Sequence, residues 1–314
     1  IGFRGEIINM LINRFLKKIS RWLQLRSYRK HMVGRYFITL PPGHPLDIFQ
    51  EEFKNYDKKL PKLAAILSEK YKLSMSIVDI GANIGDTAVA MSDATSCPIL
   101  CVEGNPYFLP ILMKNIKEVS SEIRVINKFI GPKSTEGARV VTKDGTAHIL
   151  RDVHNDTEID KYATASMITY NEVISNNQDL PQVKLVKIDT DGFDFKIILD
   201  VFSDFKGDLP VLFFEYDPGF SPKPKINEAH EAHEATNALI LAGYRYFIFY
   251  DNFGNYMRSF FSQSPQKEFI DAFTYLASTR DSGGGINYMD VCCFSEKDKD
   301  VFIRSVALEM DVKL

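Results

Sequence analysis

The run Ile77-Val78-Asp79-Ile80-Gly81-Ala82-Asn83-Ile84-Gly85 decides the fold. Its first four residues are an apolar run carrying one acid, the pattern of a strand buried on both faces. Gly81 to Gly85 form a tight turn, and the spacing of apolar residues predicts a helix over 85–94. A ligand laid across the carboxyl edge of a parallel sheet needs this order, because the backbone must pass close beneath it. Glycine has no Cβ and tolerates the dihedrals of such a turn. The helix that follows starts with free N–H groups.

Downstream, a second strand is expected at 98–103 and ends in Leu100-Cys101-Val102-Glu103. An acid here can accept hydrogen bonds from both ribose hydroxyls of a nucleoside. Gly104-Asn105-Pro106 then turns into a helix over 106–118, with Pro106 suited to its first turn. Strand, acid, glycine turn, helix, strand and second acid follow in an order that fits a nucleoside. The loop is not Gly-x-Gly-x-x-Gly, which disfavours a nicotinamide or flavin dehydrogenase, and there is no Gly-Lys-Ser/Thr phosphate loop.

The rest of the chain continues the alternation. Strands are expected at 76–80, 123–127, 183–189, 210–215, 244–250 and 288–294, and helices at 169–176, 193–203, 225–242 and 298–309. Asp144-Gly145 between two β-prone runs signals a hairpin over 138–150. Residues 47–71 read as helical with Pro61 interrupting, and 251–255 read as a turn. This is an α/β pattern with helices flanking a mostly parallel sheet.

With 314 residues, 45% of them hydrophobic, the chain can bury a large core without disulfides or metals. Its net charge of −3 names no partner and weakens a nucleic-acid reading, since such binders carry a basic domain more often. Cys97, Cys101, Cys292 and Cys293 lack zinc-site spacing and read as small buried hydrophobes in a reducing compartment. With no secretory signal or membrane-spanning run recognised, the expected location is cytoplasmic.

Residues 1–46 differ from the remainder and are read as an N-terminal extension, with one domain over 47–314. Between Glu6 and Asp47 there is no acid, whereas Arg14, Lys17, Lys18, Arg21, Arg26, Arg29, Lys30 and Arg35 all fall there. Ile8, Leu11, Ile12, Phe15, Ile19, Trp22 and Leu23 form a stripe at helical spacing. The basic amphipathic helix this predicts has two readings. Residues 7–30 can make peripheral contact with an anionic membrane. The same face can instead dock on the chain's own domain or on a second subunit, which leaves a homo-oligomer open.

Three motifs resemble those of FkbM-type methyltransferases: Val78-Asp79-Ile80-Gly81-Ala82-Asn83-Ile84-Gly85-Asp86-Thr87, Val102-Glu103-Gly104-Asn105-Pro106, and Val186-Lys187-Ile188-Asp189-Thr190-Asp191-Gly192-Phe193-Asp194. The resemblance covers about 75–215 and loosely reaches 250. It implies a Rossmann-like class I fold with a seven-stranded sheet, one strand antiparallel, behind the N-terminal helical extension. It further implies S-adenosylmethionine as methyl donor, cofactor contacts at Asp79, Gly81, Asn83, Gly85 and Glu103, and methylation of a hydroxyl on a sugar, glycan or natural product. Where the family most often has valine-glutamate after the first aspartate of the third motif, this chain has Thr190-Asp191.

Methylating a neutral hydroxyl requires alignment of the acceptor oxygen and a base for its proton. Asp189 ends a central strand beside the cofactor position, and Asp191 and Glu215 reach towards the same crevice, so these three are the candidate catalytic residues. Asp191 and Asp194 have a second reading as helix caps, and Glu215 as a salt bridge at the sheet end. His148 in the hairpin is a further candidate base, while His230 and His233 with their neighbouring glutamates fit a solvated helix face better than a metal site. Asp189-Thr190-Asp191 also spells Asp-x-Asp, which would suit a metal-dependent glycosyltransferase but leaves the glycine loop and Glu103 unexplained. A non-catalytic membrane-associated scaffold is the remaining alternative, and the intact cofactor motif argues against it. Amino-group methylation of nucleic-acid bases is disfavoured by the charge and by the absence of an Asn/Asp-Pro-Pro-Tyr motif.

Overall fold

The computed structural model describes residues 26–132, 135–143, 146–150, 163–190, 192–203, 205, 207–217, 226–282 and 285–310. In chain order the elements begin with β1 (Arg29–Val33), β2 (Tyr36–Leu40), α1 (Leu46–Glu52), α2 (Lys59–Lys70), β3 (Ser76–Ile80), α3 (Asp86–Ala94), β4 (Ile99–Val102), α4 (Leu109–Asn115) and β5 (Ile123–Ile126). Next come β6 (Phe129–Ile130), β7 (Thr135–Lys143), β8 (Thr146–Leu150), β9 (Ala163–Ile168), α5 (Tyr170–Ser175), β10 (Val183–Ile188), α6 (Asp194–Phe202) and β11 (Val211–Tyr216). The chain closes with α7 (Ile226–Ala242), β12 (Tyr244–Asp251), β13 (Tyr256–Phe261), α8 (Gln266–Asp281), β14 (Met289–Ser295) and α9 (Lys299–Glu309).

The central sheet runs β13-β12-β14-β11-β10-β3-β4-β5. From β5 to β11 the strands are parallel, β14 runs antiparallel to both β11 and β12, and β13 runs antiparallel to β12. The α/β class and the mostly parallel sheet are as expected. The expected seven strands become eight, with two reversed rather than one. The reason lies in the turn after β12: the Asp251 carboxylate accepts the N–H groups of Phe253 (2.9 Å) and Asn255 (2.8 Å), and Gly254 takes φ 76°. The chain therefore folds straight back, and 256–261 adds an edge strand.

Side chains alternate between the two faces. Ile77 and Leu185 join a core with α2, α3, α4, α9 and the β1–β2 hairpin, while Val78, Ile80, Val186 and Ile188 join the core under α5 to α8. All four cysteines are buried and free. A separate four-stranded sheet, β6-β9-β7-β8, contains the expected hairpin, whose Asp144-Gly145 turn lies outside the described residues. In the 47–71 segment the break falls at 53–58, not at Pro61. Pro61 sits in the first turn of α2, where a missing N–H leaves no bond unmade.

The stripe of the expected N-terminal helix also lies outside the described residues. From Arg29 the chain is a hairpin, N-terminal to the boundary expected at 46, with Ile38 and Leu40 fully buried. Asn115 holds it: Oδ1 accepts the Thr39 N–H (2.7 Å), and Nδ2 donates to the carbonyls of Thr39 (3.1 Å) and Ile84 (2.9 Å). Replacing Asn115 by Ala leaves these buried backbone groups unsatisfied. Asn115→Ala is expected to lower stability by about 2–4 kcal/mol in urea denaturation; a change below about 0.5 kcal/mol would show that the hairpin is held by its apolar face alone.

Candidate active site

The parallel strands end at one edge, and the loops leaving them build the site. Gly81 follows β3 at φ 78°, and a Cβ there would overlap the carbonyl oxygen of Asp189 at the end of β10. Only glycine lets the two strand ends approach so closely. The N–H groups of Gly81 and Ala82 both donate to the Val102 carbonyl (2.9 and 3.2 Å), which ties the turn to β4. Asn83 lies in the left-handed region at φ 48°. Its N–H donates to Glu103 Oε2 (2.7 Å), while the Asn105 N–H donates to Glu103 Oε1 (2.6 Å). Glu103 thus clasps the loops after β3 and β4. Burial pushes its carboxyl up to about 7, against the pull of those two N–H bonds.

Of the expected cofactor residues, Gly81, Asn83 and Glu103 line a narrow, largely apolar cavity with Phe108, Phe129, Ile130 and Phe193. Asp79 and Gly85 do not line it. Gly85 begins α3 at φ 82°, and a Cβ there would press on the Leu112 side chain, so its smallness serves the packing of α3 on α4. Asp79 is fully buried within β3.

The partner of Asp79 is Lys187, directly across in β10. Lys187 Nζ lies 3.1 Å from Asp79 Oδ1 and 3.3 Å from Asp189 Oδ2, and donates to the Gly81 carbonyl (3.1 Å). Burial opposes its charge, but Asp189, Asp79 and Asp86 outweigh burial and hold the ammonium well above its ordinary value. One cation therefore joins the buried acid, the glycine turn and the half-exposed Asp189.

A second, polar cavity of about 740 Å³ opens on the other side of the turn. Gly81, Asn83 and Asp189 belong to both cavities. Glu215 lines the polar one, together with Tyr56, Asp57 and Asp86, and Asp290 lines a smaller adjoining cavity that shares Tyr56, Asp57, Asp86 and Glu215 with it. Glu215 and Asp290 are directly opposed across β11 and β14. Burial and nearby carboxylates, Asp189 foremost, push both well above the usual carboxylate range. At the rim, Arg280 pairs with Asp217 at 2.5 Å. The third expected catalytic residue, Asp191, lies outside the described residues. Asp194 does not cap α6, whose start carries no side-chain cap bond; its Oδ2 instead accepts the N–H (3.2 Å) and hydroxyl (3.0 Å) of Thr190, tying the helix start back to the end of β10.

The side chain of His148 lies outside the described residues, and His230 sits 3.3 Å from Glu234 on an exposed face of α7. Among the described residues no group of three or more His, Cys, Asp or Glu is arranged to hold a metal ion. Sequence reasoning missed Lys187, Phe129, Asp57, Tyr288 and Asp290 as site residues. Lys187 carried a signal, since two-residue alternation back from Asp189 puts it on the Asp79 face. Tyr288 and Asp290 needed the direction of β14, whose reversed run brings its first residues to the edge where the other strands end.

The profile of the Methyltransferase FkbM domain matches residues 79–246. No curated protein matches the chain. Among solved structures, precorrin-6y C5,15-methyltransferase from Geobacter metallireducens is 13% identical, over 71% of this chain and 80% of that one, with a TM-score of 0.32. Fibrillarin from Aeropyrum pernix in complex with S-adenosyl-L-methionine is 11% identical, over 70% and 66%, with a TM-score of 0.36. The plantazolicin methyltransferase in complex with SAH is 10% identical, over 79% and 89%, with a TM-score of 0.35.

Lys187→Met strands the buried Asp79 charge and is expected to cost about 3–5 kcal/mol. Lys187→Met with Asp79→Leu removes both charges and should recover part of that loss. A double variant no more stable than Lys187→Met alone, by denaturant titration, would contradict the pairing.

Proposed function

The chain belongs to the FkbM methyltransferase family, and from that premise we propose that it transfers a methyl group from S-adenosylmethionine to a hydroxyl of a sugar, glycan or natural product. The observation that carries this reading is the meeting of an apolar and a polar cavity at Gly81, Asn83 and Asp189.

The residues of the apolar cavity fit the cofactor. Asn83 Oδ1 and Asn105 Nδ2 are buried there without hydrogen-bond partners among the described residues, and such groups call for a polar ligand. Glu103 would take the ribose hydroxyls, and Phe129, Ile130 and Phe193 would cover the base. When bound, S-adenosylmethionine supplies an electrophilic methyl group on a sulfonium. Asp189, at the junction, is positioned to orient the acceptor hydroxyl beside it. Glu215 serves as the base: it lines the polar cavity beside Asp189, and burial raises its carboxyl and with it its basicity. The carboxylate-rich wall gives a polyol several acceptors for its hydroxyl hydrogens. Asp191 remains a proposed contributor from the motif alone. The Asp-x-Asp glycosyltransferase reading gives way to the family membership.

Two tests follow. Ribose hydroxyls donate best to an ionised carboxylate, and the Glu103 carboxyl titrates at about 7. Cofactor affinity should therefore weaken as pH falls through 7, and Glu103→Gln should flatten that dependence. The same raised value means that the folded chain keeps a proton there after the unfolded chain has lost it. This group therefore costs stability increasingly as pH rises from about 4.5 to about 7 and not below that window. For the base, Glu215→Gln should lower kcat by about 10²–10⁴-fold with cofactor Kd unchanged, read by labelled methyl transfer to a panel of glycans. Full activity in Glu215→Gln would remove it from that role, and transfer only to amines would remove the hydroxyl assignment.

A further inference from the structure

We propose that the outward face of the β1–β2 hairpin docks on an anionic lipid bilayer. This inference is independent of the methyl-transfer reading. The inner face of the hairpin is fixed. Val33, Ile38 and Leu40 are buried in the core, Arg29 binds the Asp47 carboxylate at 2.8 and 2.9 Å, and His31 bonds Gln50 at 2.8 Å. The opposite face is therefore held rigidly towards solvent. On it Met32 and Phe37 are cross-strand partners, 56% and 68% exposed, with Lys30 exposed two residues before Met32. Just before β1, Tyr28 is 61% exposed.

These apolar side chains stand out because neither core cluster among the described residues includes them. The Thr39 end of the same face is buried and bonded to Asn115 of α4, while the Met32–Phe37 end is left open. Three exposed apolar side chains are far fewer than the roughly 20–30 residues a side of a stable protein interface. They suffice for shallow insertion into a bilayer when basic residues add electrostatic attraction. The sequence between Glu6 and Asp47 carries eight lysines and arginines and no acid, of which Lys30 is exposed on this face, Arg29 is paired with Asp47, and Arg14, Lys17, Lys18 and Arg21 lie outside the described residues. Of these, Arg35 is paired with Asp93 at the hairpin turn. Arg29 also donates to the His44 carbonyl (2.6 Å), and His44 lines the polar cavity, so the docked hairpin is joined directly to the rim of the site.

The test is flotation of the full chain with vesicles of phosphatidylcholine alone and of phosphatidylcholine mixed with phosphatidylglycerol. Binding is expected to the anionic vesicles only and to fall with salt. The double variant Met32→Asp, Phe37→Asp should reduce partitioning at least about tenfold with an unchanged thermal midpoint. Three results would overturn the proposal. The chain could float with neither vesicle. The double variant could bind as the wild type does, which would assign binding to the basic segment alone. Sedimentation could show a wild-type dimer that the double variant dissociates, which would assign the face to a second copy of the chain.

Discussion

The site depends on one buried ammonium. Lys187 stands between a fully buried acid, a half-exposed acid and a backbone carbonyl of the glycine turn. A charge in this position is tolerable only because carboxylates surround it, and Asp79 is tolerable only because Lys187 is there. The pair spans adjacent central strands, so it sets the relation between the strand that leads into the turn and the strand that delivers Asp189. The close approach at Gly81, which excludes any Cβ, is the geometric counterpart of that electrostatic link.

From this joint the division of labour follows. On one side of the turn, Glu103 holds two loops through backbone N–H groups, and aromatic residues make a slot. On the other side, carboxylates from β10 and β11 face a larger polar space, and one from the start of β14 lines the smaller cavity adjoining it. In the proposed reading the apolar slot takes the nucleoside of the cofactor and the carboxylate wall a hydroxyl-rich acceptor. Because Gly81, Asn83 and Asp189 border both spaces, the two cavities adjoin at the ends of β3 and β10.

Much of this was legible from the chain. The order of strand, glycine turn, helix and second acid located β3, α3, β4 and Glu103, because hydrophobic period and glycine placement are local properties. The roles of Asp79 and Gly85 were not legible in the same way. Both belong to the motif, yet one serves an ion pair across the sheet and the other the packing of two helices, and both facts depend on residues distant in sequence. The eighth strand was hidden because Tyr256–Phe261 reads as an aromatic run after a turn, and only the Asp251-bonded hairpin folds it back. Helix α8 was likewise unannounced; its apolar face is completed by Phe269, Ala272 and Leu276 against the core of other elements. Residues such as Tyr56 and Asp57 come from a short break between helices, where no periodic signal exists.

The central claim is that the nucleoside part of the methyl donor occupies the apolar cavity beside the Gly81 turn. Amide hydrogen exchange with and without S-adenosylhomocysteine tests it most directly, since bound ligand slows the opening of the segments that hold it. Protection should concentrate at residues 81–86, 103–108 and 128–130. Ligand binding that left those segments unchanged and protected only residues 44–57 and 285–290 would place the donor in the polar cavity and contradict the account.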